Sequence, residues 1–107
     1  MERNNVHTPE ACTQRRTRIR LALAAYAYEF YADPIMSDAN FDLLSNTVDV
    51  SVETGVPDLD WFFMEEFDPS TGQWIHKHPE LDKLKTLYWR LKGNGIFSKD
   101  PENPYDI

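Results

Sequence analysis

Asp38 and Asp42 are paired carboxylates at a spacing that could serve acid–base chemistry. Ser37 is a good helix N-cap, and a helix that begins there places both side chains on one face, with Asp49 further along the same acidic stripe. Such a pair acts in catalysis when one carboxyl group is tuned to hold its proton. No feature of the sequence tunes either carboxyl group, and no nucleophile–base pair or phosphate-binding glycine loop accompanies them. We therefore predict that the protein is not an enzyme.

His76 and His78 have side chains suited to a metal, but their pattern does not fit one. A zinc site needs three or four ligands at a defined spacing. Here a lysine separates the two imidazoles, and the third histidine, His7, is far away in the sequence. Cys12 is the single cysteine, which excludes an internal disulfide and most cysteine-built metal sites. We predict no metal site and expect His78 to lie in a surface turn near the start of the last helix.

The chain has 18 Asp and Glu against 11 Lys and Arg, a formal net charge of −7. The excess of negative charge is concentrated in the middle third of the chain. No Lys or Arg lies between Arg20 and Lys77, whereas residues 33–71 hold ten carboxylates. This balance argues against binding of a nucleic-acid backbone, which needs clustered cations. The segment is either a solvated face or a surface for a basic partner protein. In the second interpretation the partner-binding residues are Asp49, Asp58, Asp60, Glu65, Glu66 and Asp68.

The length and composition are those of one globular domain. A chain of 107 residues, 41% of them hydrophobic, can build one core without a disulfide or a metal. No apolar run approaches the roughly 20 residues of a membrane helix, and the N-terminal residues lack the apolar stretch of a signal peptide. We therefore expect a cytoplasmic protein without membrane contact.

Hydrophobic periodicity predicts the elements that must position these side chains. The first helix is expected over residues 9–32, apolar on most sides and central, with four arginines crowding its exposed first half. The second begins after Ser37, and Phe41, Leu44 and Val48 supply its buried face. The last is expected over residues 79–93. The sequence therefore predicts a mostly α, compact domain of three to four helices.

One segment and the two chain ends are predicted separately. Residues 58–66 favour a helix, but the turn signal DPSTG leaves open a short β-hairpin or an ordered turn around 61–76. We expect a flexible N-terminus over residues 1–8, a single helical domain over residues 9–93 and an irregular C-terminal tail over residues 94–107.

The segment YEFYADPIMSDANFDLL, residues 28–44, resembles the small helical N-terminal segment of NAD-dependent DNA ligases. The likeness consists of an aromatic residue, a proline turn and a Ser-Asp-Ala start to a second helix, and the short motif HPEL recurs at residues 78–81. That ligase segment grips the nicotinamide mononucleotide half of NAD. The resemblance implies a cofactor-binding set of Tyr28, Glu29, Asp38, Phe41 and Asp42.

Two members of that set depart from the ligase pattern. Glu29 stands where the ligases have a histidine, which places a negative charge near the expected phosphate, and Phe41 keeps the ring of a tyrosine without its hydroxyl group. No part of the chain resembles the ligase nucleotidyltransferase core, so ligation by this chain alone is excluded. The segment DPSTGQWIHKHPELDKL also resembles small phage-encoded proteins, which implies a phage or prophage origin and a host-cell cytoplasm as the location.

Two functional hypotheses follow. The sequence favours a non-enzymatic, acidic interaction protein without a cofactor, which binds and inhibits a host protein with a basic surface, such as a nucleic-acid-binding defence or processing complex. The alternative is a module that binds NAD or nicotinamide mononucleotide, in which Tyr28 and Phe41 flank the ring while Asp38 and Asp42 hold the ribose hydroxyl groups.

Overall fold

The mostly helical fold predicted from the sequence is confirmed by a computed structural model, which describes residues 8–93. These residues contain α1 (Pro9–Tyr31), α2 (Asp38–Ser45), α3 (Pro57–Glu65), a 3₁₀ helix (Gln73–Lys77) and α4 (Leu81–Gly93). Within this part of the chain there is no strand, so the hairpin around 61–76 is replaced by the end of α3, an ordered turn and the 3₁₀ helix. The expected flexible start and irregular tail fall on residues 1–7 and 94–107, outside the described residues.

Helix α1 is the central element, as its apolar pattern predicts. Residues 21–27 are all buried, and the helix contacts α2, the 3₁₀ helix and α4. The Oγ1 atom of Thr8 accepts a hydrogen bond from the backbone N–H of Ala11 at 3.1 Å, which caps the helix start. At the other end Ala32 adopts a left-handed conformation with φ 51°, and its N–H bonds back to the Tyr28 carbonyl. This residue turns the chain toward α2.

The core forms where the later elements pack on α1. Helix α3 contributes Phe62 and Phe63, the 3₁₀ helix contributes Ile75, and α4 contributes Leu84 and Tyr88, all of them buried. Phe62 and Phe63 lie edge to face with ring centroids 5.4 Å apart. Phe62 and Phe63 of the middle segment therefore serve packing.

The structure corrects two expectations about surface charge. Arg18, expected on the exposed first half of α1, is only 4% exposed. Helix α2 ends at Ser45, so Asp49 lies in the following loop and does not extend the acidic stripe of Asp38 and Asp42. Val48 also lies beyond this helix, although it still packs against the core.

Candidate functional site

A cavity of about 320 Å³ lies between the end of α1, the segment that leads into α2 and the turn before the 3₁₀ helix. We call it the α1–α2 cavity. Its lining from α1 is Ala24, Ala25, Tyr28 and Glu29. Its lining from the α2 side is Pro34, Ile35, Met36, Asp38, Phe41 and Asp42. Its lining from the turn is Ser70, Thr71, Gly72 and Gln73.

The structure brings all five residues of the predicted cofactor-binding set to this cavity. Tyr28 and Glu29 come from the last turns of α1, while Asp38, Phe41 and Asp42 come from α2. Tyr28 is 61% exposed, so its ring is available to a ligand. Phe41 comes from α2, the other helix of the cavity. It is half-buried and packs against the core, which fixes the position of its ring. The sequence segment that carries the resemblance thus folds around one space.

Local backbone chemistry sets the position of α2. Ser37 precedes the helix with extended backbone geometry, and its Oγ accepts a hydrogen bond from the N–H of Asn40 at 3.1 Å. Asp38 follows at the first helical position, where a negative side chain is stabilised by the helix dipole. Because Asp42 lies one turn further along, both carboxylates reach the cavity from the same helix.

The third wall is an ordered turn that belongs to no regular element. The Asp68 carboxylate accepts hydrogen bonds from the N–H and the hydroxyl group of Ser70, at 2.9 and 2.7 Å. The Trp74 indole donates to the Thr71 carbonyl at 2.7 Å. At Gly72 an added Cβ atom would lie 3.6 Å from the Ala25 Cβ and 3.7 Å from the Phe41 ring, so this turn lies directly against both helices.

Glu29 forms a contact that the sequence did not suggest. Its Oε1 lies 3.0 Å from Nε2 of His76 in the 3₁₀ helix, and the His76 ring packs 5.1 Å from that of Phe30. His76 itself is half-exposed and is not among the cavity-lining residues. The pair ties the end of α1 to the 3₁₀ helix beside the cavity.

The cavity presents carboxylates and aromatic rings with which a ligand could interact. Within residues 8–93 the carboxylates of Asp38 and Asp42 have no hydrogen-bond or ion-pair partner, so both can accept hydrogen bonds from a ligand. Tyr28 and Phe41 add aromatic rings on which a flat heterocycle can stack. In the same part of the chain no group of three or more His, Cys, Asp or Glu could hold a metal ion. No helix there is long and apolar enough to cross a membrane.

The six residues predicted to bind a partner are distributed over several elements. Asp60 is the member most engaged inside the protein: its carboxylate accepts a 2.9 Å hydrogen bond from Arg18 and bonds from the N–H and hydroxyl group of Thr54. Its side chain is 17% exposed. Asp60 therefore joins α3 to α1 and to the loop between α2 and α3.

Three further members carry contacts of their own. Asp49 and Asp68 are exposed, and each accepts hydrogen bonds from a nearby serine, which lower the pKa of both carboxyl groups. Glu66 pairs with Lys77 at 3.3 Å. Asp49 lies in the loop after α2, whereas Glu66 and Asp68 lie in the segment directly after α3.

Asp58 and Glu65 form the remaining acidic pair, on the outer face of α3. Both are exposed, and the same helix presents Trp61 and Met64, which are 59% and 56% exposed. At helical spacing Asp58, Trp61 and Glu65 share one face. We call this set, with Met64, the α3 face.

His78 differs from its expected place in a surface turn. It is buried against Phe62, with ring centroids 5.0 Å apart, and its Nδ1 accepts a hydrogen bond from the Glu80 N–H at the start of α4. Burial disfavours the charged imidazole and lowers the pKa of His78 to about 4. The expected position near the start of the last helix is confirmed.

Sequence reasoning missed the wall formed by Ser70, Thr71, Gly72 and Gln73. The DPSTG turn was visible, but its place opposite α2 depends on how the 3₁₀ helix packs on α1. Gln14 and Arg18 are four residues apart in the arginine-rich first half of α1 and lie on one face of that helix. Both side chains reach the loop after α2.

Comparison of the chain with known protein families, with curated proteins and with solved structures gave no match.

Proposed function

We propose that the protein binds a nicotinamide nucleotide or nucleoside in the α1–α2 cavity. The observation that carries the proposal is that Tyr28, Glu29, Asp38, Phe41 and Asp42 line one cavity. The sequence alone favoured an interaction protein over this alternative. We now place it first, because the structure adds a third wall at residues 70–73 that completes a cavity around the residues of the linear motif.

The chemistry of the cavity supports a ligand with a flat ring and a sugar. Stacking on an aromatic side chain is worth about 1–3 kcal/mol per base. A hydrogen bond to a charged group contributes about 1.5–3 kcal/mol, and Asp38 and Asp42 can accept such bonds from ribose hydroxyl groups. A volume near 320 Å³ is also at the lower end of the range of small-molecule sites.

Isothermal titration calorimetry with NAD, nicotinamide mononucleotide and AMP tests the proposal. We expect binding of the two nicotinamide compounds and none of AMP. The Tyr28→Ala and Asp42→Asn variants should each weaken binding by about tenfold or more, given the stacking and hydrogen-bond energies. Trp61→Ala and Asp58→Asn, matched changes on the α3 face, should leave the affinity unchanged. A flat titration of the unmodified protein with NAD, nicotinamide mononucleotide and the nicotinamide nucleoside, each at millimolar concentration, would exclude the proposed function.

As a second candidate function we propose binding of a host protein with a basic surface, which the α3 face supports. Exposed Trp61 is the residue type that most often dominates a protein interface. Asp58 and Glu65 beside it would meet basic side chains and speed association at low salt. Only these two of the six predicted carboxylates belong to this face, so the surface is smaller than the sequence indicated.

Capture experiments with host lysate test this second candidate. Partners retained at 50 mM salt should be lost at 300 mM salt, because salt screens the attraction between the charges. They should also be lost at 50 mM salt when the bait carries Trp61→Ala, because the anchor side chain is then absent. Tyr28→Ala is the control and should retain them. A capture profile that is the same for the unmodified bait, Trp61→Ala and an Asp58→Asn/Glu65→Gln variant would contradict it.

A further inference from the structure

The charge of the α1–α2 cavity is one-sided. Glu29, Asp38 and Asp42 line it, and none of its lining residues is a lysine or an arginine. Arg20, one turn before Ala24 on α1, lines a different cavity. Sites that hold a phosphate supply cationic side chains or free backbone N–H groups. The cavity offers three carboxylates in their place.

The start of α2 does not reverse this balance. Free N–H groups at a helix N-terminus attract anions. Here the Asn40 N–H is already bonded to Ser37 Oγ, and the Asp38 carboxylate occupies the positive end of the helix. A phosphate at the start of α2 would therefore be repelled by the Asp38 carboxylate, and the Asn40 N–H would not be free to bind it.

The aromatic lining favours a cation as well. The face of an aromatic ring attracts a positive charge within about 6 Å of its centre, and Tyr28 and Phe41 supply two such rings at the cavity. A nicotinamide joined to ribose is a pyridinium ring with one positive charge. The same ring in its reduced, dihydro form is neutral, and a 5′-phosphate makes the compound a net anion.

We infer that the α1–α2 cavity selects the cationic nucleoside, nicotinamide riboside, over its 5′-phosphate and over its neutral dihydro form. This inference rests on the proposed function and names its ligand. Glu29 is the residue that sets the preference, since it adds a third carboxylate to the pair on α2. Its neighbour His76 lies 3.0 Å from the Glu29 carboxylate and is half-exposed, outside the cavity lining.

Titrations of nicotinamide riboside, its dihydro form and nicotinamide mononucleotide at pH 8 and 25 mM salt test the inference. Three carboxylates acting over a few ångströms through water should favour the cation by about tenfold over each of the other two compounds. The difference should shrink at 300 mM salt. Nicotinamide mononucleotide binding as tightly as the riboside would overturn the charge preference and leave the proposed function standing. No heat or chemical-shift change with any of the three compounds would overturn both.

Charge-neutralising variants identify the source of the preference. Glu29→Gln keeps the shape of the side chain and should reduce the ratio of riboside to mononucleotide affinity by about threefold, with thermal unfolding used to verify the fold. Glu53→Gln removes an exposed carboxylate that is not part of the cavity lining and should leave the ratio unchanged. Equal losses for both ligands in Glu29→Gln would assign Glu29 a structural role and overturn its part in selection.

Discussion

The α1–α2 cavity and the surroundings of Arg18 are two polar regions that both include residues of α1. They differ in whether their charged side chains have hydrogen-bond partners inside the protein. Around Arg18, which we call the Arg18 junction, the guanidinium group bonds to the Asp60 carboxylate and to the carbonyl groups of Asp49 and Val52, at 2.8–3.0 Å. Gln14 adds bonds to Thr47 and Asp49. In the cavity, the carboxylates of Asp38 and Asp42 have no partner within residues 8–93.

The difference separates structural charge from charge available for binding. Buried polar groups must find partners inside the protein, and the junction uses them to anchor the irregular loop between α2 and α3. Exposed like charges one helical turn apart slightly destabilise a helix, and under the proposed function a ligand would compensate those of Asp38 and Asp42. The two regions should therefore respond differently to the same kind of substitution.

The largest effect is expected from Arg18→Met. The change leaves the Asp60 carboxylate partly buried without its cation, and breaking a buried pair in this way lowers the free energy of unfolding by about 3–5 kcal/mol. Urea denaturation measures the loss. Arg16→Met, on an exposed position of the same helix, is the control and should change stability by no more than about 0.5 kcal/mol. Equal stability of the two variants would show that the junction does not anchor the fold.

The second effect concerns pH and His78, which lines a second cavity together with Arg18 and Leu84. Its pKa is about 4 in the folded protein, below the ordinary 6.5, so the unfolded chain takes up the proton first as the pH falls. At about 1.36 kcal/mol per pKa unit, stability is complete above pH 6.5 and falls by about 3 kcal/mol as the pH drops to 4.

Urea denaturation at pH 7 and pH 4 compares the unmodified protein with His78→Asn, whose amide oxygen can still accept the Glu80 N–H. The variant should lose about 3 kcal/mol less between the two pH values. Carboxylates that titrate in this range act in both proteins and cancel in the difference. An identical pH dependence would mean that His78 accepts its proton without disturbing the fold.

The sequence predicted the helices better than it predicted their polar contacts, for a physical reason. The caps at Thr8 and Ser37 act over three residues, so local pattern was enough to find them. The contact of Arg18 with Asp60 joins residues 42 positions apart, and only the packing of α3 on α1 reveals it. The five cavity residues could be predicted because they all lie within one short segment, whereas the wall at residues 70–73 comes from far along the chain.

The third effect is an increase in the free energy of unfolding when Ala32, which ends α1 and precedes the segment leading to α2, is replaced. Ala32 has φ 51°, a left-handed conformation that strains residues with a Cβ atom. Ala32→Gly should raise the free energy of unfolding by about 0.5–1 kcal/mol, because relief of this strain exceeds the added freedom of the unfolded chain. Ala39→Gly, within α2 and without such strain, should instead lower stability by about 1 kcal/mol. Destabilisation by both changes would show that Ala32 is not strained.

The smallest effect gives the sharpest contrast between the two regions. Asp38 and Asp42 are like charges one helical turn apart, an arrangement that destabilises a helix by about 0.2–0.5 kcal/mol. Asp42→Asn should therefore raise the free energy of unfolding by that amount while it weakens ligand binding. Asp60→Asn, the same chemical change at the Arg18 junction, should lower stability, because Arg18 then loses its anionic partner. Opposite signs for these two aspartates in urea denaturation would separate a carboxylate kept for a ligand from one kept for the fold. Equal destabilisation would mean that Asp42 is also a structural residue.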